Sequence, residues 1–135
     1  MTLVEVMVAL LITGLTVGGI VSGYIYCSTA TVKDALYMAA NGRATERMED
    51  THAARWDTSS FPTVDQLVTN NFPDEVVSLN KSGSSSDITM ATVVTTISQI
   101  STTPPLRRVR VDCIWLFRGT EPVTNTIETC RAPDE

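Results

Sequence analysis

The chain has 135 residues, with 10 Lys and Arg against 15 Asp and Glu, a formal net charge of -5, and only one His and three Cys. That length suits one compact domain with room for one protruding element. The acidic balance supplies no basic patch, so no direct nucleic-acid binding is expected, and one His with three scattered Cys offers no metal-ligand spacing.

Charge is distributed unevenly along the chain. Glu5 is the only charged side chain before Lys33. Residues 6–26 read Val-Met-Val-Ala-Leu-Leu-Ile and onward as apolar on every side rather than on one stripe, so such a helix must be buried all round, in protein or in lipid. At about 1.5 Å per residue this run crosses a hydrocarbon core of roughly 30 Å. A cleaved signal peptide would instead show a basic start, a shorter apolar stretch and a small-residue cleavage site. Here no Lys or Arg precedes the run and no break follows it. Residues 1–31 are therefore expected to be a membrane-spanning or filament-core half of a helix that continues into the following segment.

Two features of this segment are unusual. A carboxylate at the bilayer centre costs on the order of 2.5–3.5 kcal/mol and less near the interface, so Glu5 either reaches headgroup water or finds a positive partner such as a neighbour's α-amino group. Gly14 and Gly18 form one small-xxx-small pair, and Gly19 and Gly23 another, a spacing that lets helix backbones approach closely. The same glycines weaken a helix by roughly 0.5–1 kcal/mol each, so close packing and local unwinding are both compatible with them.

The string Thr2-Leu3-Val4-Glu5-Val6-Met7-Val8-Ala9-Leu10-Leu11-Ile12 resembles the N-terminal signature of type IV pilins and type II secretion pseudopilins. The resemblance covers about the first 30 residues, and its wording is nearest to the pseudopilin I and minor pilin V types. It implies processing by a prepilin peptidase, a mature chain beginning at Met1, N-methylation of Met1, and pairing of Glu5 with the N-terminal amine of a neighbour during assembly. It also implies an inner-membrane assembly platform and motor, residence in the lipid bilayer before assembly, and a homo-oligomeric or mixed filament. Two departures are plain. Met stands first where Phe is common, and Ser22 stands where many members have a helix-melting proline.

The remaining residues, 32–135, are expected to form a soluble head. Val32, Ala35, Leu36, Ala39, Ala40 and Ala44 recur at helical spacing, which predicts an amphipathic continuation to about Trp56. Thr63-Val64-Asp65-Gln66 after Pro62 reads as a capping box, predicting a short helix over 63–71. Strands are expected at about 75–79, 88–100, 106–118 and 123–130, the third with Val109, Val111, Cys113, Trp115 and Phe117 on its buried face. The fold class is α+β: a long N-terminal helix packed on a small antiparallel sheet of about four strands, the pilin fold by resemblance. By the same resemblance Cys113 and Cys130 are a disulfide candidate. A regular strand places Cys130 on the opposite face from Cys113, so the bond needs a bulge or an early strand end. Asn80-Lys81-Ser82 is a formal glycosylation sequon, making Asn80 a weak modification candidate.

No arrangement for chemistry is visible. His52 sits among surface-type residues, Ser and Thr have no paired base, and there is no phosphate loop or haem motif, so neither an enzyme nor a cofactor is expected. The resemblance implies a structural subunit of a type IV pilus-like filament, drawn from an inner-membrane pool to the cell surface. A periplasmic pseudopilin of a type II secretion system is the alternative. A signal-anchored periplasmic binding domain is a third reading, and it leaves Glu5 and the glycines without a purpose.

Overall fold

The computed structural model describes residues 2–80 and 88–134. The chain is α+β; among the described residues it has one α-helix, α1 (Leu3–Ala53), followed by six strands: β1 (Trp56–Asp57), β2 (Val64–Asp65), β3 (Glu75–Ser78), β4 (Met90–Thr102), β5 (Pro105–Phe117) and β6 (Glu121–Arg131). It divides into two compact units, residues 1–35 and residues 36–135.

In the first unit α1 is apolar and every described side chain through Val32 is exposed except Thr29 and Ala30, which are half-buried. Three of its threonine hydroxyls bond to helix carbonyls four residues back. Thr13 donates to the Ala9 carbonyl at 2.8 Å, Thr16 to Ile12 at 3.0 Å and Thr31 to Cys27 at 2.9 Å. Back-bonding of this kind spares a polar group from needing water.

In the second unit the helix buries Leu36, Ala40, Ala44, Met48 and Thr51, one residue per turn and therefore one stripe. Val32 and Ala35, expected on this stripe, are exposed. The stripe lies on a four-stranded antiparallel sheet of order β3-β4-β5-β6, whose inner face supplies Ala91, Val93, Val109, Val111, Cys113, Trp115 and Phe117. Ala40 and Ala44 are fully buried, which is what lets the helix backbone approach the sheet closely. The helix runs along β5 in a defined sense. Tyr37 packs edge-on against Trp115 with ring centroids 5.8 Å apart, while Arg131, paired with Arg107, reaches the last helical turn.

Three local expectations are overturned. The helix stops at Ala53 rather than near Trp56, because Trp56 turns into the core and begins β1, where it is buried. The short helix over 63–71 does not form. Val64–Asp65 pairs with Trp56–Asp57, and only Thr69–Asn71 makes a 3₁₀ turn. The residues of the apparent capping box are engaged elsewhere: Gln66 Oε1 accepts the Arg55 N–H at 3.0 Å, and Asp65 binds Arg107. Long-range partners outcompete a local cap worth about 1 kcal/mol.

The third correction concerns the cysteines. Cys113 pairs with Asn125 and Cys130 with Arg108, in a β5–β6 register without any shift. Five residues of a regular strand separate the two positions by about 16 Å and put them on opposite faces, whereas a disulfide needs Cα atoms within roughly 7 Å. Cys113 is buried, Cys130 is exposed, and both are free thiols.

Candidate functional site

The candidate site is the first unit of α1, and it starts with its first turn. Thr2 N donates to Glu5 Oε2 at 3.3 Å and Glu5 N donates to Thr2 Oγ1 at 3.4 Å. This reciprocal pair is a capping box, with Thr2 as N-cap and Glu5 at the third helical position, where a carboxylate also suits the helix dipole. The spacing Thr-x-x-Glu is itself a capping signature in the sequence. Met1, the other half of the expected assembly pair, lies outside the described residues.

Beyond this turn the segment holds an 18-residue window of mean hydropathy 2.2, none of it buried, and α1 is long and apolar enough to cross a membrane. Leu3, Leu10, Leu15, Ile20 and Tyr24 are each at least two-thirds exposed. Gly14, Gly18, Gly19 and Gly23 have nothing within 4 Å of where a Cβ would sit. No contact inside the described chain accounts for these glycines or for the apolar side chains around them. In water such a surface is strongly unfavourable at about 25 cal/mol per Å², so lipid or other protein must cover it.

The head is held by charged groups rather than by a reactive cluster. Arg107 stacks 4.4 Å above the Trp56 ring, binds Asp65 through both oxygens at 2.6 and 2.7 Å and donates to the Leu67 carbonyl at 2.6 Å. That guanidinium holds the Asp65 carboxyl below its ordinary value, partly opposed by burial, and Asp65 raises Arg107 in turn. Asp57 accepts the Ser60 and Ser59 N–H groups, the Ser59 hydroxyl and Arg55, and these donors hold its carboxyl far below the ordinary range. Burial pushes the Cys113 thiol up, with nearby Arg43 opposing it.

Of the remaining candidates, Asn80 is half-buried and its Oδ1 accepts the Thr89 N–H at 2.7 Å, closing the base of the segment between β3 and β4. The other two sequon positions, 81 and 82, lie outside the described residues. His52 is exposed on α1. Among the described residues no three His, Cys, Asp or Glu side chains converge as a metal site would require. A cleft of about 60 Å³ lies between α1 and the β3 edge, lined by Arg43, Glu46, Arg47, Asp50 and Glu75, with Arg47 and Glu75 already paired at 2.7 Å.

Against known proteins, no family model, no curated sequence and no solved structure matches the chain.

Proposed function

We propose that the chain is a structural subunit of a type IV pilus-like filament, held in a membrane through residues 3–32 and assembled by packing those helices against neighbouring copies or related subunits. The observation that carries this reading is the uncovered apolar surface of the first unit of α1, interrupted by four glycines and opened by Glu5. Lipid satisfies that surface before assembly, so exchange of lipid for protein contact yields little apolar free energy and extraction needs an external motor. Glycine faces and a charge near the helix start then fix which helices fit and in what axial register. The wording of residues 5–12 favours a minor subunit. Trace abundance in isolated filaments is the result expected.

The capping box makes the choice of variant decisive. Glu5→Ala removes both the charge and the cap, so a loss of assembly would be ambiguous. Glu5→Gln keeps a side chain that can serve the box while removing the charge. In native cells, Glu5→Gln should leave membrane insertion and helix content unchanged and abolish recovery of the chain in sheared filaments. Normal recovery of Glu5→Gln sinks the charge-pairing part of the reading, and absence of the wild-type chain from every filament sinks the whole.

A further inference from the structure

Tyr24 and Tyr26 are the only aromatic residues before Tyr37, and both stand near the end of the charge-free run. They are 75% and 76% exposed. Successive residues of a helix are turned by about 100°, so these two side chains leave α1 on nearly opposite sides. A protein helix laid along α1 covers one of those sides and leaves the other open. A layer that surrounds the helix meets both.

The hydroxyls point the same way. Thr13 and Thr16, in the middle of the run, return theirs to helix carbonyls. The tyrosine hydroxyls sit at the far edge of rigid rings, out of reach of their own helix, and neither has a hydrogen-bond partner among the described residues. An unpaired hydroxyl is strongly unfavourable in hydrocarbon. At headgroup level the ring packs on acyl chains while the hydroxyl reaches water or phosphate.

Spacing along the helix supplies the depth. From Glu5 to Tyr24 is 19 residues of α1, about 29 Å, against a hydrocarbon core of about 30 Å. Residues 6–23 between them carry no charged and no aromatic side chain. The polar first turn, where Thr2 and Glu5 cap each other, therefore reaches one interface when Tyr24 reaches the other. Charge returns at Lys33, seven residues or about 10 Å past Tyr26, which clears a headgroup layer of roughly 5–8 Å.

We infer that Tyr24 and Tyr26 seat in the lipid headgroup layer before assembly and fix the depth of α1, so that residues 6–23 fill the hydrocarbon and residues 27–32 lie among the headgroups. The inference rests on the membrane-held pool of the proposed function and adds where the span stops. Apolarity alone does not mark that point, since Ile25, Ala30 and Val32 carry the apolar character past Tyr24.

The test measures depth in the full chain, reconstituted in vesicles of phosphatidylcholine with phosphatidylglycerol. Cys27 is exposed and Cys113 is buried, so Cys130→Ser leaves Cys27 as the thiol open to a nitroxide label. A second chain carries Ile20→Cys with Cys27→Ser and Cys130→Ser, placing the label seven residues deeper. The nitroxide at 27 should be relaxed more by a water-soluble nickel chelate than by oxygen, and the nitroxide at 20 more by oxygen. Tyr24→Leu with Tyr26→Leu, in the chain labelled at Cys27, should lower the nickel effect at least about twofold as the helix sinks. Oxygen preference at 27 overturns the placement, and if position 20 also prefers oxygen the membrane reading stands. Nickel preference at both positions shows that the helix is not inserted and overturns the membrane reading with it. An unchanged signal at Cys27 in the leucine variant overturns the role of the two tyrosines.

Discussion

The guanidinium of Arg131 donates to the Thr51 carbonyl at 2.6 Å, joining the last residue of the sheet to the last turn of the helix. The same group donates to the Ala54 carbonyl at 2.8 Å and to Asp134 at 2.8 Å, while Asp134 also accepts the Trp56 N–H at 2.8 Å. A helix end needs its last carbonyls met, and here a nearly buried cation meets two of them. Arg131→Ala should leave those carbonyls unmet in the core and cost about 2–4 kcal/mol. Urea denaturation of the full chain in detergent should show the lower midpoint, with Arg131→Lys recovering part of the loss.

Acid should weaken the head through Asp57 and Asp65. Both carboxyls lie below their ordinary value of 3.8 in the folded chain. On unfolding they return to about 4. As pH falls through about 4 the unfolded state takes up protons first, so the stability these groups contribute is intact above that pH and lost below it, as the folded carboxyls in turn protonate. Asp57→Asn and Asp65→Asn should each lower stability at neutral pH and flatten the acid limb below about pH 4. An unchanged acid limb in both variants would show that other groups dominate it.

The thiols should separate cleanly by reactivity. Cys113 is fully buried and its thiol is pushed up by that burial, whereas Cys130 is exposed on the far face. A maleimide added to the native head should modify Cys130 and spare Cys113 until denaturant is present. Non-reducing peptide mapping should find no Cys113–Cys130 bridge.

Most of the head was legible because periodicity reports which face is buried. The alternation of Val109, Val111, Cys113, Trp115 and Phe117 marks a half-buried strand, and the structure buries all five. What could not be read was any element decided by a partner distant in sequence. The Thr63–Gln66 signal is genuine local chemistry, but Arg107, 42 residues from Asp65, draws that segment into a strand pair. The early helix end goes with Trp56 turning into the core, and Arg131, 80 residues from Thr51, meets the carbonyl that this end leaves. At the N-terminus both the Glu5 anomaly and the Thr2-x-x-Glu5 spacing are legible in the sequence, and the coordinates add that the spacing closes as a cap.

The turn between β5 and β6 supplies a stability test independent of long-range contacts. Arg118 and Gly119 both have positive φ, 52° and 74°, the backbone sense that matches strand twist in a tight hairpin. A Cβ at Gly119 meets no neighbour, so any cost of Gly119→Ala is conformational rather than steric packing. The variant should lose about 1 kcal/mol, read as a lower thermal midpoint with the strand content unchanged. A gain in stability would mean that the turn does not hold this conformation in solution.

The glycines of α1 allow packing and unwinding to be told apart. Gly14, Gly18, Gly19 and Gly23 meet nothing within 4 Å where a Cβ would be added, so substitution costs the isolated chain no contact. Alanine in their place should stiffen the helix by roughly 0.5–1 kcal/mol per site while adding only a methyl group to the face. Leucine stiffens it comparably but prevents close backbone approach. If the glycines serve packing, Gly14→Ala and Gly18→Ala should assemble nearly as wild type, whereas Gly14→Leu and Gly18→Leu insert in the membrane and fail to enter filaments. If they serve unwinding, the alanine variants should fail as well, because each removes the same flexibility. The exposed, unbroken helix over these residues favours the packing outcome. Recovery of the alanine and leucine variants in the membrane and sheared-filament fractions decides between them.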